Sequence, residues 1–120
     1  MVSEPTLFHN PRCSKSRGAK ALLDEAGVAY EVVEYLKAPP TRSELEHLVA
    51  ILEDPPAALV RTGDAAFKDL GIDRATLTEA AAVVDLLAEH PALMERPVLV
   101  VGDRAVIGRP PERVQDLLEG

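Results

Sequence analysis

The order of elements read along this chain predicts an α/β fold built on a four-stranded mixed sheet flanked by helices. Three observations carry that expectation. A strand–helix–strand pattern fills the first third of the chain, helical periodicity without a strand runs over residues 41–94, and a hairpin pattern followed by a helix closes it.

Thr6-Leu7-Phe8 reads as the first strand, with Thr6 β-branched and Phe8 aromatic. From Ser14 onward Ala19, Leu22, Leu23 and Ala26 recur at helical spacing, and Gly27 supplies a C-terminal stop. Residues 28–36 are rich in β-branched and aromatic side chains and are expected to form the second strand, parallel to the first in a right-handed βαβ unit. After Pro39-Pro40, Thr41-Arg42-Ser43-Glu44 is a capping box, and Leu45, Leu48, Val49 and Leu52 give the next helix an apolar face. Pro55-Pro56 ends that helix and allows a short one over residues 57–61. Asp64 is expected to cap another short helix carrying Phe67 and Leu70, stopped by Gly71. Thr76-Leu77-Thr78-Glu79 reads as a second capping box, opening a helix with Ala80, Val83, Val84 and Leu87 on one face. His90-Pro91 breaks the chain, with one more turn expected over Ala92-Leu93-Met94. Residues 41–94 are thus expected to be wholly helical. Val98-Leu99-Val100-Val101 and Arg104-Ala105-Val106-Ile107 flank the turn pair Gly102-Asp103 as an antiparallel hairpin. Pro110-Pro111 then begins a last helix bearing Val114, Leu117 and Leu118.

A length of 120 residues, 47% of them apolar and 28% charged, suits a single domain over residues 1–120 with the helical segment at about 41–94 as an insert. The net charge of −7 argues against nucleic acid as a partner, so any anion site must depend on a local cluster of cations. Apolar runs fall short of membrane-spanning length and a secretory leader pattern is missing, which excludes a membrane partner and predicts a cytoplasmic protein. The chain has one cysteine, so a redox cycle at that thiol would need a resolving thiol from another molecule. Neither a Cys/His spacing for zinc nor a Gly-rich phosphate loop occurs, and no metal is expected.

That cysteine lies in His9-Asn10-Pro11-Arg12-Cys13-Ser14-Lys15-Ser16-Arg17, where strand gives way to helix. Free backbone N–H groups and the positive end of the helix dipole favour a thiolate there. Lys15 and Arg17 are expected to add positive charge, and His9 would add more if protonated. A lone cysteine is commonly a small buried hydrophobe, but the polar, cationic surroundings point to a reactive thiol. His9 is equally readable as a satisfied histidine at a strand end, and His47 and His90 read as structural. Arg61, Arg96 and Arg109 each stand beside a chain break, where a planar fork of donors could bind an oxyanion bidentately. Singly, each is also readable as a solvated surface charge. Arg96-Pro97 is a bond that can be cis, which would bring the strand start near the first loop. The low-molecular-weight phosphatase signature does not fit, because its arginine position would fall on Ala19.

Several pieces in fixed order carry a resemblance. They are His9-Asn10-Pro11 before Cys13, Ser16-Arg17 behind it, Tyr35-Leu36, Pro39-Pro40, Leu59-Val60-Arg61, Phe67-Lys68-Asp69-Leu70-Gly71, residues 90–97, and Arg109-Pro110-Pro111-Glu112. Over nearly its whole length the chain resembles the glutaredoxin-coupled arsenate reductase (ArsC) family, a thioredoxin/glutaredoxin-like fold with a helical insert. Ser14-Lys15 stands where the best-characterised members carry Gly-Thr, and it resembles a chromosomal Cys-Ser-Lys-Ser-Arg branch.

The resemblance implies Cys13 as nucleophile and Arg61, Arg96 and Arg109 as oxyanion-binding residues. It places His9, Ser16 and Arg17 near the thiolate, with His9 helping to depress the thiol pKa, and puts Pro97 where related folds carry a cis proline. It further implies reduction of arsenate to arsenite with glutathione as co-substrate, glutaredoxin as redox partner and no tightly bound cofactor. Two alternatives share these residues: a glutathione-dependent thiol oxidoreductase without arsenate specificity, and a non-enzymatic regulator resembling Spx that binds RNA polymerase. Against the regulator stands Ser16, at the position where redox-responsive members usually carry a second cysteine.

Overall fold

A computed structural model describes residues 5–118. Four strands form one sheet in the order β2-β1-β3-β4: β1 (Thr6–His9), β2 (Glu31–Glu34), β3 (Val98–Val101) and β4 (Arg104–Ile107). β1 runs parallel to β2 and antiparallel to β3, and β3 pairs antiparallel with β4. The sheet is therefore mixed, as the element order predicts.

Alternation along the strands divides the core between the two faces. Leu7, Leu99 and Val106 point to one face and pack with Ala19 and Leu23 of α1 (Ser14–Glu25), together with Val114 and Leu117 near the C-terminus. Phe8, Val98, Ala105 and Ile107 point to the other. There they meet Leu45, Leu48 and Val49 of α2 (Arg42–Ile51), Phe67 of α3 (Ala65–Asp69), and Val83, Val84 and Leu87 of α4 (Ala80–Glu89). The last α-helical turn, α5 (Gln115–Leu118), continues a 3₁₀ turn over Pro111–Val114, so the last helix starts more tightly wound than its periodicity suggests.

Four expectations change. β2 is confined to Glu31–Glu34, the four residues that pair with β1. The Lys37 and Ala38 amides both turn back to the Glu34 carbonyl at 2.9 Å, which ends the strand and leaves Tyr35 fully buried. The first capping box forms as expected, with Glu44 N donating to Thr41 Oγ1 at 3.1 Å and Thr41 N to Glu44 Oε1 at 2.8 Å. The second does not. Asp73 accepts from Ala75 N at 2.9 Å and starts a 3₁₀ turn over Arg74–Thr78, inside which the Thr76 and Thr78 hydroxyls donate to the Asp73 and Ala75 carbonyls. α4 then begins behind Glu79 without a side-chain cap. The short helix foreseen at 57–61 is a 3₁₀ turn over Pro56–Leu59 that stops before Arg61. Nor are residues 41–94 wholly helical: Leu52 bridges Ala105 and Val60 bridges Met94. Asp54 precedes Pro55 and is biased to extended backbone, which favours such a break.

Close packing at one point extends the β3–β4 pairing past the Val98–Ile107 pair. Gly108 N donates to the Pro97 carbonyl at 2.8 Å, and the Arg96–Pro97 and Arg109–Pro110 peptides flanking this contact are both cis. A Cβ at Gly108 would lie 2.8 Å from Pro97 Cγ and 3.1 Å from Val114 Cγ1. Gly108→Ala should therefore destabilise by about 1–3 kcal/mol in urea unfolding. Gly63→Ala, with nothing within 4 Å of its Cβ, should stay within about 0.5 kcal/mol of the parent.

Candidate active site

Cys13 is the N-cap of α1, with extended backbone (φ −93°, ψ 124°). Its amide donates to the Asn10 carbonyl at 3.0 Å and its carbonyl accepts the first helical bond from Arg17 N at 3.0 Å. The following amides consequently face the cysteine. Burial pushes the Cys13 thiol pKa up and is the largest single influence. The Ser16 and Lys15 amides, the Arg96 charge and a hydrogen bond from Arg109 together outweigh it, so the thiol titrates below its ordinary range. Arg109 Nη1 lies 3.9 Å from the sulfur.

The cations adjacent in sequence are not the ones acting on the sulfur. Lys15 contributes its amide, and Arg17 is exposed with Nη1 donating to the Pro11 carbonyl at 2.9 Å. Arg17 thus pins the loop in front of the cysteine. The charges that reach Cys13 come from Arg96 and Arg109, remote in sequence.

His9 and Ser16 form a buried pair beneath the loop. Ser16 Oγ has no exposure; it accepts from Asn10 N at 3.0 Å and lies 2.7 Å from His9 Nδ1. A hydroxyl has one proton to give, and His9 Nδ1 is its acceptor among the described hydrogen bonds, which leaves the ring proton on Nε2. Burial, then the Lys20 charge, holds the His9 pKa below its ordinary value, with Arg17 adding to that and Glu34 opposing it. His9 is therefore neutral at neutral pH. The expectation that a protonated His9 supplies positive charge is replaced by a positional role: it holds Ser16, whose amide faces the sulfur.

Three guanidiniums share one cleft, and two of them, Arg96 and Arg109, also reach Cys13, which lies at its edge rather than in its lining. Pairing of Val60 with Met94 is framed by Arg61 N donating to the Leu93 carbonyl at 2.8 Å and Glu95 N to the Leu59 carbonyl at 2.7 Å. This short ladder sets Arg61 alongside Glu95 and Arg96. Arg109 follows β4, and its Nη1 donates to the Arg96 carbonyl at 3.1 Å. Arg61, Arg96 and Arg109 line one cleft of about 400 Å³ with Val60, Thr62, Gly63, Asp64 and Glu95.

Sequence reasoning missed three participants. Asp64 Oδ2 pairs with Arg61 Nη2 at 2.9 Å. Glu95 Oε1 lies 3.7 Å from Arg96 Nη1 and 3.6 Å from Arg109 Nη1. Tyr35, read as a strand aromatic and as one piece of the resemblance but given no place in the site, donates to the Met94 carbonyl at 3.4 Å. Burial raises its phenol pKa against the lowering charges of Arg96 and Arg61 and a hydrogen bond with Asn10, which places the hydroxyl beneath the same cleft. A carboxylate next to an arginine in sequence was the available signal for Glu95. Among the described residues no group of three or more His, Cys, Asp or Glu could hold a metal ion, and no helix is long and apolar enough to cross a membrane.

Sheet and site together define a thioredoxin-like α/β protein with a lone cysteine at a helix N-terminus, flanked by an arginine-lined cleft. The chain belongs to the ArsC family, whose model matches residues 8–117. It is 44% identical over 118 residues to an arsenate reductase of Neisseria meningitidis serogroup A, covering 98% of this chain and 100% of that one. An arsenate reductase of Haemophilus influenzae is 39% identical over 113 residues, covering 93% and 97%. The solved structure of an arsenate reductase from Vibrio cholerae superposes with a TM-score of 0.82 at 37% identity, covering 94% of this chain and 96% of the other.

The lowered His9 pKa fixes the sign of a pH effect. Below the ordinary imidazole value of about 6.5 the unfolded chain takes up a proton that folded His9 refuses. This contribution to stability is present above about pH 6.5 and is lost as pH falls through the window beneath it. His9→Asn, which keeps an acceptor for Ser16 but does not titrate, should lose less stability than the parent between pH 7 and pH 5 in urea unfolding.

Proposed function

We propose that this protein reduces arsenate to arsenite, with Cys13 as nucleophile and Arg61, Arg96 and Arg109 holding the oxyanion. The reading rests on one observation above the rest: a cysteine with a lowered pKa lies 3.9 Å from Arg109, one of three arginines lining a common cleft. Family membership and relatives named as arsenate reductases support the choice of substrate.

In this mechanism the Cys13 thiolate bonds to arsenic while one As–O bond breaks, its oxygen leaving as water after protonation. The guanidiniums neutralise the charge carried by the remaining oxygens. Glutathione then attacks Cys13 Sγ. The electron pair of the S–As bond stays with arsenic, taking it from As(V) to As(III), and arsenite leaves. Cys13 is left in a mixed disulfide with glutathione, which glutaredoxin reduces by thiol–disulfide exchange. An external thiol is required because the chain has no second cysteine. His9, Ser16 and Arg17 act as positioning residues around the nucleophile, and the chemistry needs no metal or tightly bound cofactor. A reducing cytoplasm, which keeps a lone thiol free, is the compartment this cycle suits.

Arsenate-dependent NADPH oxidation, with glutathione, glutaredoxin and glutathione reductase supplied, tests the reading. Cys13→Ser should abolish turnover, and arsenate reduction by that variant would overturn the mechanism. Arg96→Ala or Arg109→Ala should lower kcat/KM roughly 100-fold with little change in unfolding midpoint. Parallel loss of stability and activity would instead assign these arginines a structural role. Turnover of glutathione mixed disulfides without arsenate turnover would replace the substrate, leaving Cys13 a general thiol oxidoreductase.

A further inference from the structure

The arginine cleft contains its own anion. Glu95 Oε1 accepts from Arg96 N at 3.2 Å and sits 3.7 Å from Arg96 Nη1 and 3.6 Å from Arg109 Nη1. Those two guanidinium contacts are too long for hydrogen bonds, so the carboxylate attracts both arginines without saturating either. Asp64 is different, holding Arg61 directly at 2.9 Å. Two features leave the Arg96–Arg109 side unsaturated: Arg96 Nε is buried with no partner among the described residues, and the Arg109 side chain keeps 34% of its surface exposed. Three positive charges (Arg61, Arg96, Arg109) and two negative ones (Asp64, Glu95) line the cleft, so its own carboxylates offset most of its positive charge.

We infer that Glu95 tempers the affinity of the cleft: its carboxylate stands between Arg96 and Arg109 as a built-in competitor that weakens binding of every tetrahedral oxyanion. This deepens the oxyanion-cleft reading above and rests on it. The physical logic is that unreactive anions such as phosphate bind the ground state as well as arsenate does. Uniformly tight binding would fill the cleft without speeding the reaction. A countercharge that every anion must oppose keeps occupancy short, and only an anion that goes on to bond the sulfur is retained. Glu95 thus sets how tightly and for how long any oxyanion is held, while the bond to sulfur distinguishes the one that reacts.

The test reads binding directly, independent of arsenate turnover. Cys13 is alkylated with iodoacetamide under increasing inorganic phosphate, in the parent, Glu95→Gln and Glu95→Asp. Gln keeps an acceptor for Arg96 N but removes the charge, so half-protection should need roughly tenfold less phosphate. Sulfate should follow the same direction. Asp keeps the charge and should stay within about twofold of the parent. The pH midpoint of alkylation in Glu95→Gln should also move lower, since Arg96 and Arg109 lose a countercharge while facing the sulfur. Unchanged or weaker phosphate protection in Glu95→Gln overturns the inference. Weakened protection in both variants makes Glu95 a merely structural support for the arginines. If phosphate protects none of the three proteins, the oxyanion cleft fails and this inference with it. If protection behaves as expected but arsenate is not reduced, only the substrate assignment above falls.

Discussion

One buried hydroxyl governs the geometry around the cysteine. Ser16 Oγ joins the end of β1, through His9 Nδ1 and Asn10 N, to the first turn of α1. Without that tie the loop over residues 10–13 could leave the helix at many angles, and the Lys15 and Ser16 amides would no longer face the sulfur. The arrangement is strong because it is sealed. Inside the protein an unpaired polar group is destabilised by about 1–3 kcal/mol, so Ser16, His9 and the Asn10 amide hold one another in a single pattern. Arg17 adds a second tie from outside, through the Pro11 carbonyl.

The arginine cleft poses the opposite problem. Guanidiniums repel, and the chain carries a net charge of −7, so a local positive cluster must be assembled against the global balance. Three separate segments supply it. Arg61 and Arg96 are brought together by the Val60–Met94 pairing, and Arg109 by the contact of Gly108 with Pro97. Asp64 and Glu95 offset part of the repulsion from within the cleft. Backbone pairing sets where the arginines stand, while the acidic partners set how much field they project.

Elements with strong local signals were legible in the sequence. The start of β1, the α1 stripe, the Thr41–Glu44 capping box and the hairpin around Gly102 all follow from short-range rules, and the mixed character of the sheet is the one their order implies. Where two local signals competed, the reading failed: Asp73 out-competed Thr76 as a cap, and β2 was confined to the residues that pair with β1. For the site, the position of Cys13 at a helix start was legible and so were the three arginines. The source of the positive field was not, because adjacency in sequence suggested Lys15 and Arg17 while adjacency in space selected Arg96 and Arg109. Nor could any local rule reveal that His9 is buried and neutral. Burial is a property of the whole fold.

The two-residue ladder at Val60 and Met94 limits how this chain can change length. Side chains on paired strands alternate in direction, so a slip of one residue turns each of them to the opposite side. An insertion or deletion within 59–61 or 93–96 would rotate Arg61 or Arg96 out of register with Arg109 even if every helix survived. Exposed turns elsewhere in the same segment, such as the one at Gly71 with open space around it, carry no such restriction. The helical segment is therefore free to drift in size across descendants of this sequence, but only on either side of a few residues whose spacing is locked.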